Sequence, residues 1–211
     1  MTPLTIAVPK GRILKPLAAL LARAGIDAQI LLDDDRTLIR EIRSGGMRFL
    51  LLKPDDVPTY VEYGAADLGV CGRDVLVERA SEVYQPLDLG IGRCRMIVAG
   101  LAAHRVGYAG DLPRVGTKYP RTTAAHFARR GVQAEVVYVQ GSVELAPVTG
   151  LADLIVDLVE TGATLAQNGL VEREEVAKVS SVLVANRASY KLRHAEIAPL
   201  LTQLRQVLTA A

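Results

Sequence analysis

Short apolar runs alternating with segments of helical spacing constrain this chain more than any other feature. "LTIAVP" reads as a buried strand, and "GRILKPLAALLARAG" after it carries apolar residues at helical intervals, with Gly25 placed to stop the helix. The unit recurs: "FLLLK" precedes "DDVPTYVEYG", a short helical segment with acids in its first turn, an early proline and a terminal glycine. "DLGVCG" reads as a third strand and "RDVLVERA" as a helix. "VYQPLDLG" and "CRMIVAGL" are β-rich and carry the chain toward a second lobe, where "RVGTKYP", helical "RTTAAHFARRG" and the strand "AEVVYVQ" renew the alternation. "SVELAPVTG" leads into the strand "DLIVDLV", followed by a helix from Thr161 that Asn168-Gly169 ends. "VAKVSSVLVANR" is strand-like, and a terminal helix carries Ile197, Leu200, Leu201, Leu204, Val207 and Leu208 as an apolar stripe that must cover something.

Strands that alternate with helices imply an α/β fold with mostly parallel sheets and right-handed crossovers. With 211 residues, half of them apolar, the chain suits two lobes of roughly 100 residues each with a cleft between them. The expected division puts residues 1–90 and 180–211 in the first lobe and 91–179 in the second. No repeat of 20 to 50 residues is present, which removes solenoids.

Lys and Arg number 25 against 23 Asp and Glu, so there is no global charge to draw nucleic acid or a membrane, and any anion must be held locally. Phe49, Phe127 and seven tyrosines are the only aromatic residues, too few for a single-strand stacking platform. The N-terminal "MTPLTIAVPKGR" lacks the profile of a signal peptide, and no segment has eighteen uninterrupted apolar residues. A soluble cytoplasmic protein is the expectation. Cys71 and Cys94 share no metal-ligand spacing and read as small core residues; His104, His126 and His194 lie too far apart for a local zinc signature.

The segment "IVDLVETGATL" carries the most chemistry. A strand that ends in Thr161-Gly162-Ala163-Thr164 gathers backbone N–H groups around one point; Gly162 allows close approach and the threonine hydroxyls donate without adding charge. That arrangement suits a phosphate. Asp157 and Glu160 would repel it unless they face sugar hydroxyls or a bound magnesium ion, and a ribose phosphate supplies such partners. On these residues alone, an ordinary N-cap at Thr161 with solvated acids at the strand end stands equally open.

The longer stretch from Glu144, "ELAPVTGLADLIVDLVETGATL", resembles the signature of the ATP phosphoribosyltransferases, which open histidine biosynthesis. "VPKGRI", "DDVPTYVEYGAADLGVCGRDVL", "TKYP" and "GSVELAP" resemble that family's segments in its order, over the whole chain. The resemblance implies a two-lobed α/β fold of the type II periplasmic-binding-protein kind. It further implies the short form, without a C-terminal regulatory domain. The implied reaction joins N1 of the adenine of ATP to C1 of 5-phosphoribosyl diphosphate and expels pyrophosphate, with Mg2+ as cofactor. A hetero-oligomer with a regulatory subunit similar to histidyl-tRNA synthetase, and a homodimer, are implied as well.

By the same resemblance Arg12 and Arg36 are catalytic and stabilise the departing pyrophosphate. Asp157, Glu160, Thr161, Gly162, Ala163 and Thr164 hold phosphoribosyl diphosphate, while Lys10, Gly11, Gly72 and Asp74 hold ATP; the metal ligands are unassigned. Read without the resemblance, Arg36 pairs with the acidic run Asp33-Asp34-Asp35, Gly72 is a turn glycine near Gly69, and Asp74 caps a helix. Lys118 and Glu144 stay undecided, the latter between a sugar hydroxyl, a magnesium ion and a helix cap near Ser142. Lys53 departs from the family pattern, which has arginine there, and an ammonium does not replace a planar guanidinium in a bidentate contact. A two-lobed binding protein and a salvage phosphoribosyltransferase are the competing readings. The salvage type places two acids side by side before its loop, whereas Leu158 and Val159 separate Asp157 from Glu160.

Overall fold

The run Leu4–Pro9 forms β1, buried on both faces except at Thr5, which is why it reads as continuous rather than alternating. The computed structural model describes residues 2–42, 46–103 and 112–210, so His104 lies outside the described residues. After β1, α1 (Leu14–Arg23) buries Leu17, Ala18, Leu20 and Leu21. Gly25 (φ 80°) ends it, with the Gly25 and Ile26 amides donating back to the carbonyls of Ala22 and Leu21. Then come β2 (Ile39–Ile42), β3 (Met47–Leu52), α2 (Val57–Glu62), β4 (Leu68–Gly72), α3 (Arg73–Arg79) and β5 (Tyr84–Asp88).

The chain next builds β6 (Cys94–Leu101), β7 (Arg114–Thr117), α4 (Pro120–Arg129), β8 (Glu135–Tyr138), α5 (Leu145–Val148), β9 (Leu154–Val159), α6 (Ala163–Gln167) and β10 (Leu170–Val179). It closes with β11 (Ser181–Ala185), α7 (Arg187–Leu192) and α8 (His194–Thr209). Two compact units result, Met1–Gly92 with Ser180–Ala211, and Arg93–Val179. The first holds a sheet in the order β2-β3-β1-β4-β11-β5, the second a sheet in the order β10-β6-β9-β7-β8.

The sheets are mixed rather than mostly parallel: among the described residues four pairings are parallel and five antiparallel. The parallel set is β3, β1 and β4 in one sheet and β8, β7 and β9 in the other. These strands are joined through helices, as a parallel connection requires. The antiparallel partners flank them: β2 precedes and pairs with β3, and β5, β6, β10 and β11 carry the chain between the units.

The strand-like "VAKVSSVLVANR" proves to be two strands parted at Ser180, β10 in the second sheet and β11 in the first. Residues on both sides of Ser180 have strand propensity, and only their partners differ.

In the terminal helix Ile197, Leu200, Leu201 and Leu204 are buried and Val207 and Leu208 half-buried, all packed into the core that also holds β1 and α1. The stripe covers that core, a gain of about 1.5–3 kcal/mol per large side chain. Cys71 and Cys94 are free and buried. Gly69 lies inside β4 rather than in a turn, and a Cβ there would stand 2.6 Å from Val61 Cγ2 and 2.9 Å from Val57 Cγ1, so it lets α2 seat closely on the strand. No helix among the described residues is long and apolar enough to cross a membrane.

Candidate active site

In the first unit, registers of Pro9 with Leu52 and of Ala7 with Gly69 bring the ends of β3, β1 and β4 to one sheet edge. Lys53, Lys10 and Gly72 therefore follow one another along it, at the carboxyl ends of parallel strands where open α/β folds take ligands. The Lys10 amide donates to the Leu52 carbonyl at 2.8 Å. Gly11 (φ 91°) turns the chain into α1, with nothing within 4 Å of where its Cβ would be. Lys10 and Gly11 line a cavity of about 440 Å³ together with Leu31, Asp33, Asp34, Asp35, Thr37 and Arg40. Arg12 is exposed on the same turn.

The acidic run turns out to hold Arg40, not Arg36. The Arg40 guanidinium is 4% exposed. It donates to Asp35 Oδ1 at 2.8 Å, to the Asp33 carbonyl at 2.9 Å and to the Ile30 carbonyl, and it lies 3.4 Å from Asp33 Oδ2. The Thr37 amide, 2.7 Å from Oδ1, holds the Asp35 carboxyl below its ordinary value, with the Arg40 charge assisting against desolvation. Arg36 is exposed and makes no hydrogen bond or ion pair among the described residues. The surface pairing with the aspartates therefore does not form, because a buried guanidinium outcompetes an exposed one for the same carboxylates.

Gly72 and Asp74 also differ from the plain reading. Gly72 has an ordinary extended φ of −68° and is itself the N-cap of α3. A Cβ on it would stand 2.1 Å from Asp74 Oδ1, so the buried Asp74 carboxylate, which folds over the glycine, would have to turn away to admit a side chain there. Asp74 sits in the first turn of α3, not at its cap.

In the second unit β7 and β9 run parallel with Thr117 opposite Val156, which brings Lys118 level with Asp157 one residue further on. Asp157 is half-buried and its Oδ1 accepts from the Leu158 amide at 2.7 Å. Burial pushes its carboxyl up against that amide; the charge of Glu144 raises it further, and that of Lys118 lowers it. The fold thus assembles Asp157, Glu144 and Lys118 from β9, the residue before α5 and the residue after β7. Glu144 occupies the N-cap position of α5 but makes no side-chain capping hydrogen bond there, and the entry to the helix runs through Ser142 at φ 50°. The signal available in the sequence was that three segments each end a strand or start a helix, but only the register makes them neighbours.

The phosphate-type loop follows on the same strand. The helix begins at Ala163, not Thr161, and Gly162 is its N-cap at φ 81°. With five residues α6 carries little macrodipole, so loop amides rather than a helix field are what the segment offers an anion. Thr161 Oγ1 accepts from the Ala163 amide at 3.4 Å, and buried Leu165 anchors the turn in the core. Glu160, Thr161, Ala163 and Thr164 are exposed. Asn168 and Gly169 (φ 70°) end the helix where the sequence places its end.

Each sheet thus ends its parallel strands in a set of polar residues, basic in the first unit and carboxylate-centred in the second. The family model described as "HisG: ATP phosphoribosyltransferase" matches residues 53–206. The ATP phosphoribosyltransferase of Sorangium cellulosum is 60% identical over 209 residues, covering 99% of this chain and 98% of that one. That of Methylococcus capsulatus is 50% identical, with 98% and 97% covered. Among solved structures, a chain of the ATP phosphoribosyl transferase (HisG:HisZ) complex from Thermotoga maritima matches with a TM-score of 0.82, 33% identity and 97% of both chains covered. The α/β fold of the type II periplasmic-binding-protein kind comes with that likeness. On full-length similarity at this level, the chain belongs to the ATP phosphoribosyltransferase (HisG) family.

Proposed function

We propose that this chain joins N1 of the adenine of ATP to C1 of 5-phosphoribosyl diphosphate, the first step of histidine biosynthesis. The observation that carries the site assignment is Asp157: a half-buried carboxylate, pushed up by burial and by Glu144, at the strand end that leads into Thr161-Gly162-Ala163-Thr164. A charge kept there at a cost suits ribose hydroxyls, with the loop amides and the Thr161 and Thr164 hydroxyls on the 5-phosphate. Glu160 and Lys118 complete that subsite. Lys10, Gly11, Gly72 and Asp74 take ATP, and Lys53 lies on the same edge.

The bond from C1 to the diphosphate oxygen breaks with its electron pair on the leaving group, leaving a cation-like sugar for the adenine nitrogen. Catalysis is then alignment and electrostatic stabilisation. Arg12 and Arg36 supply positive charge to the departing diphosphate; Arg36 is suited to this because Arg40 engages Asp33 and Asp35.

Among the described residues no three His, Cys, Asp or Glu side chains form a ready cage. The charge of Glu144 acts on Asp157, and such a pair of carboxylates would suit Mg2+, which keeps several waters and takes one or two carboxylates along with substrate phosphates. Held by these two carboxylates, the ion would supply charge neutralisation to the diphosphate. A cytoplasmic location, a homodimer and a regulatory subunit of the HisZ kind, similar to histidyl-tRNA synthetase, complete the proposal. The partner is supported by the Thermotoga maritima complex.

Incubation with ATP, 5-phosphoribosyl diphosphate and magnesium, with and without such a subunit, should produce the ultraviolet band of N1-substituted adenine. Turnover with free adenine or guanine in place of ATP would point to salvage instead. Arg12→Ala should lower kcat about 100-fold while ATP affinity changes little, because the contact strengthens in the transition state; equal losses in both would remove Arg12 from that role.

A further inference from the structure

The Thr117 side chain is fully buried, yet it is polar and ends a strand. Its hydroxyl donates to the Val156 carbonyl at 2.7 Å and accepts from the Tyr119 amide at 2.9 Å and the Thr123 hydroxyl at 3.3 Å. One donor and two acceptors are the whole capacity of a hydroxyl, so the group is saturated. The bond to Tyr119 closes a tight turn with Lys118 at its apex. The bond to Val156 fastens that turn to the main chain immediately before Asp157. Thr123, also fully buried, ties in the first turns of α4. Valine would fill the same space, so packing alone gives no reason for a hydroxyl.

We propose that Thr117 is a positioning residue for phosphoribosyl transfer: its hydroxyl clamps the Lys118 turn to β9 and holds the Lys118 ammonium beside the Asp157 carboxylate while 5-phosphoribosyl diphosphate binds. The inference rests on the assignment of Asp157 to that substrate. Besides the Leu158 amide on its own strand, Asp157 meets the charges of Glu144, before α5, and Lys118, after β7; its register partner on β6 is uncharged Ile97.

The test is binding of 5-phosphoribosyl diphosphate with magnesium to the full-length chain, by titration calorimetry, with ATP binding and thermal unfolding in parallel. Thr117→Val should weaken binding about tenfold with ATP affinity unchanged, and Thr117→Ser should restore it. Lys118→Met, which does not disturb the buried clamp, should weaken binding by a similar factor, and the double variant should add little to either single change. If Thr117→Val binds like the native chain, or if the double variant shows the full losses of both single changes added together, the clamp has no positioning role. Asp157→Asn separates the two levels. Near-native binding by that variant overturns the assignment of Asp157 and the inference with it, whereas weak binding by Asp157→Asn beside native-like Thr117→Val overturns the clamp alone.

Discussion

Asp88 and Asp157 both pay for desolvation, and the protein treats them in opposite ways. Asp88 ends β5, near where the chain leaves the first unit. Partial desolvation pushes its carboxyl up, but the Gly90 amide at 2.9 Å, the Ser180 hydroxyl at 2.9 and 2.8 Å and Arg73 at 3.1 Å more than reverse this and hold it below its ordinary value. Asp157 accepts a single hydrogen bond, from the neighbouring Leu158 amide, and faces Glu144; its carboxyl stays above the ordinary value. A carboxylate whose oxygens the fold has saturated is structural. One left with acceptor capacity beside a like charge is held at a cost to stability, which is the mark of a group reserved for a ligand.

The sharpest test of that contrast is Asp157→Asn. Turnover should fall about 100-fold, while the unfolding temperature at neutral pH should rise, because the neutral amide keeps an acceptor for Leu158 and removes a poorly compensated charge. A falling melting temperature would break the comparison at its stronger end. Next comes Gly162→Ala. The nearest atom to the added methyl, Val159 Cγ1, is 3.9 Å away, so the penalty is the backbone at φ 81°, about 1–2 kcal/mol, and KM for 5-phosphoribosyl diphosphate should rise about tenfold as the loop amides lose their aim.

Asp88→Ala should behave as the converse of Asp157→Asn: about 1–2 kcal/mol less stable in denaturant titration, from the lost hydrogen bonds, with kcat within about twofold of native. The smallest effect is in the pH dependence of melting. The depressed Asp88 contributes stability above its unfolded value, and this is lost as pH falls through the folded value. The raised Asp157 is favourable only when protonated, and that contribution is lost as pH rises through its folded value. The stability differences of both variants from the native chain, opposite in sign at neutral pH, should therefore shrink on acidification.

Much of the architecture was legible because local patterns recur where local rules operate. β1 reads as a buried run, Gly25 stops α1, and the α8 stripe repeats at helical spacing, each decided by residues within a few positions of one another. The antiparallel flanks were not legible, and neither was the break at Ser180. "VAKVSSVLVANR" has strand character throughout, and which sheet each half joins depends on hydrogen-bond partners far along the chain. The same limit applies at the sites. The Thr161-Gly162-Ala163-Thr164 loop announces itself in consecutive letters, whereas the capture of Asp33 and Asp35 by Arg40 instead of Arg36 depends on which guanidinium the core buries.

By itself, then, the sequence determined the alternation of strands and helices, the glycine at the loop and the family's chemistry, since these depend on residue type and short spacing. Only the tertiary structure decided that Lys118 and Glu144 flank Asp157, that Thr117 locks the first of them in place, and that Asp74 lies over Gly72. Those relations need parallel strands set in register, and register is fixed by hydrogen bonds and core packing summed over the whole sheet, which no short stretch of residues contains.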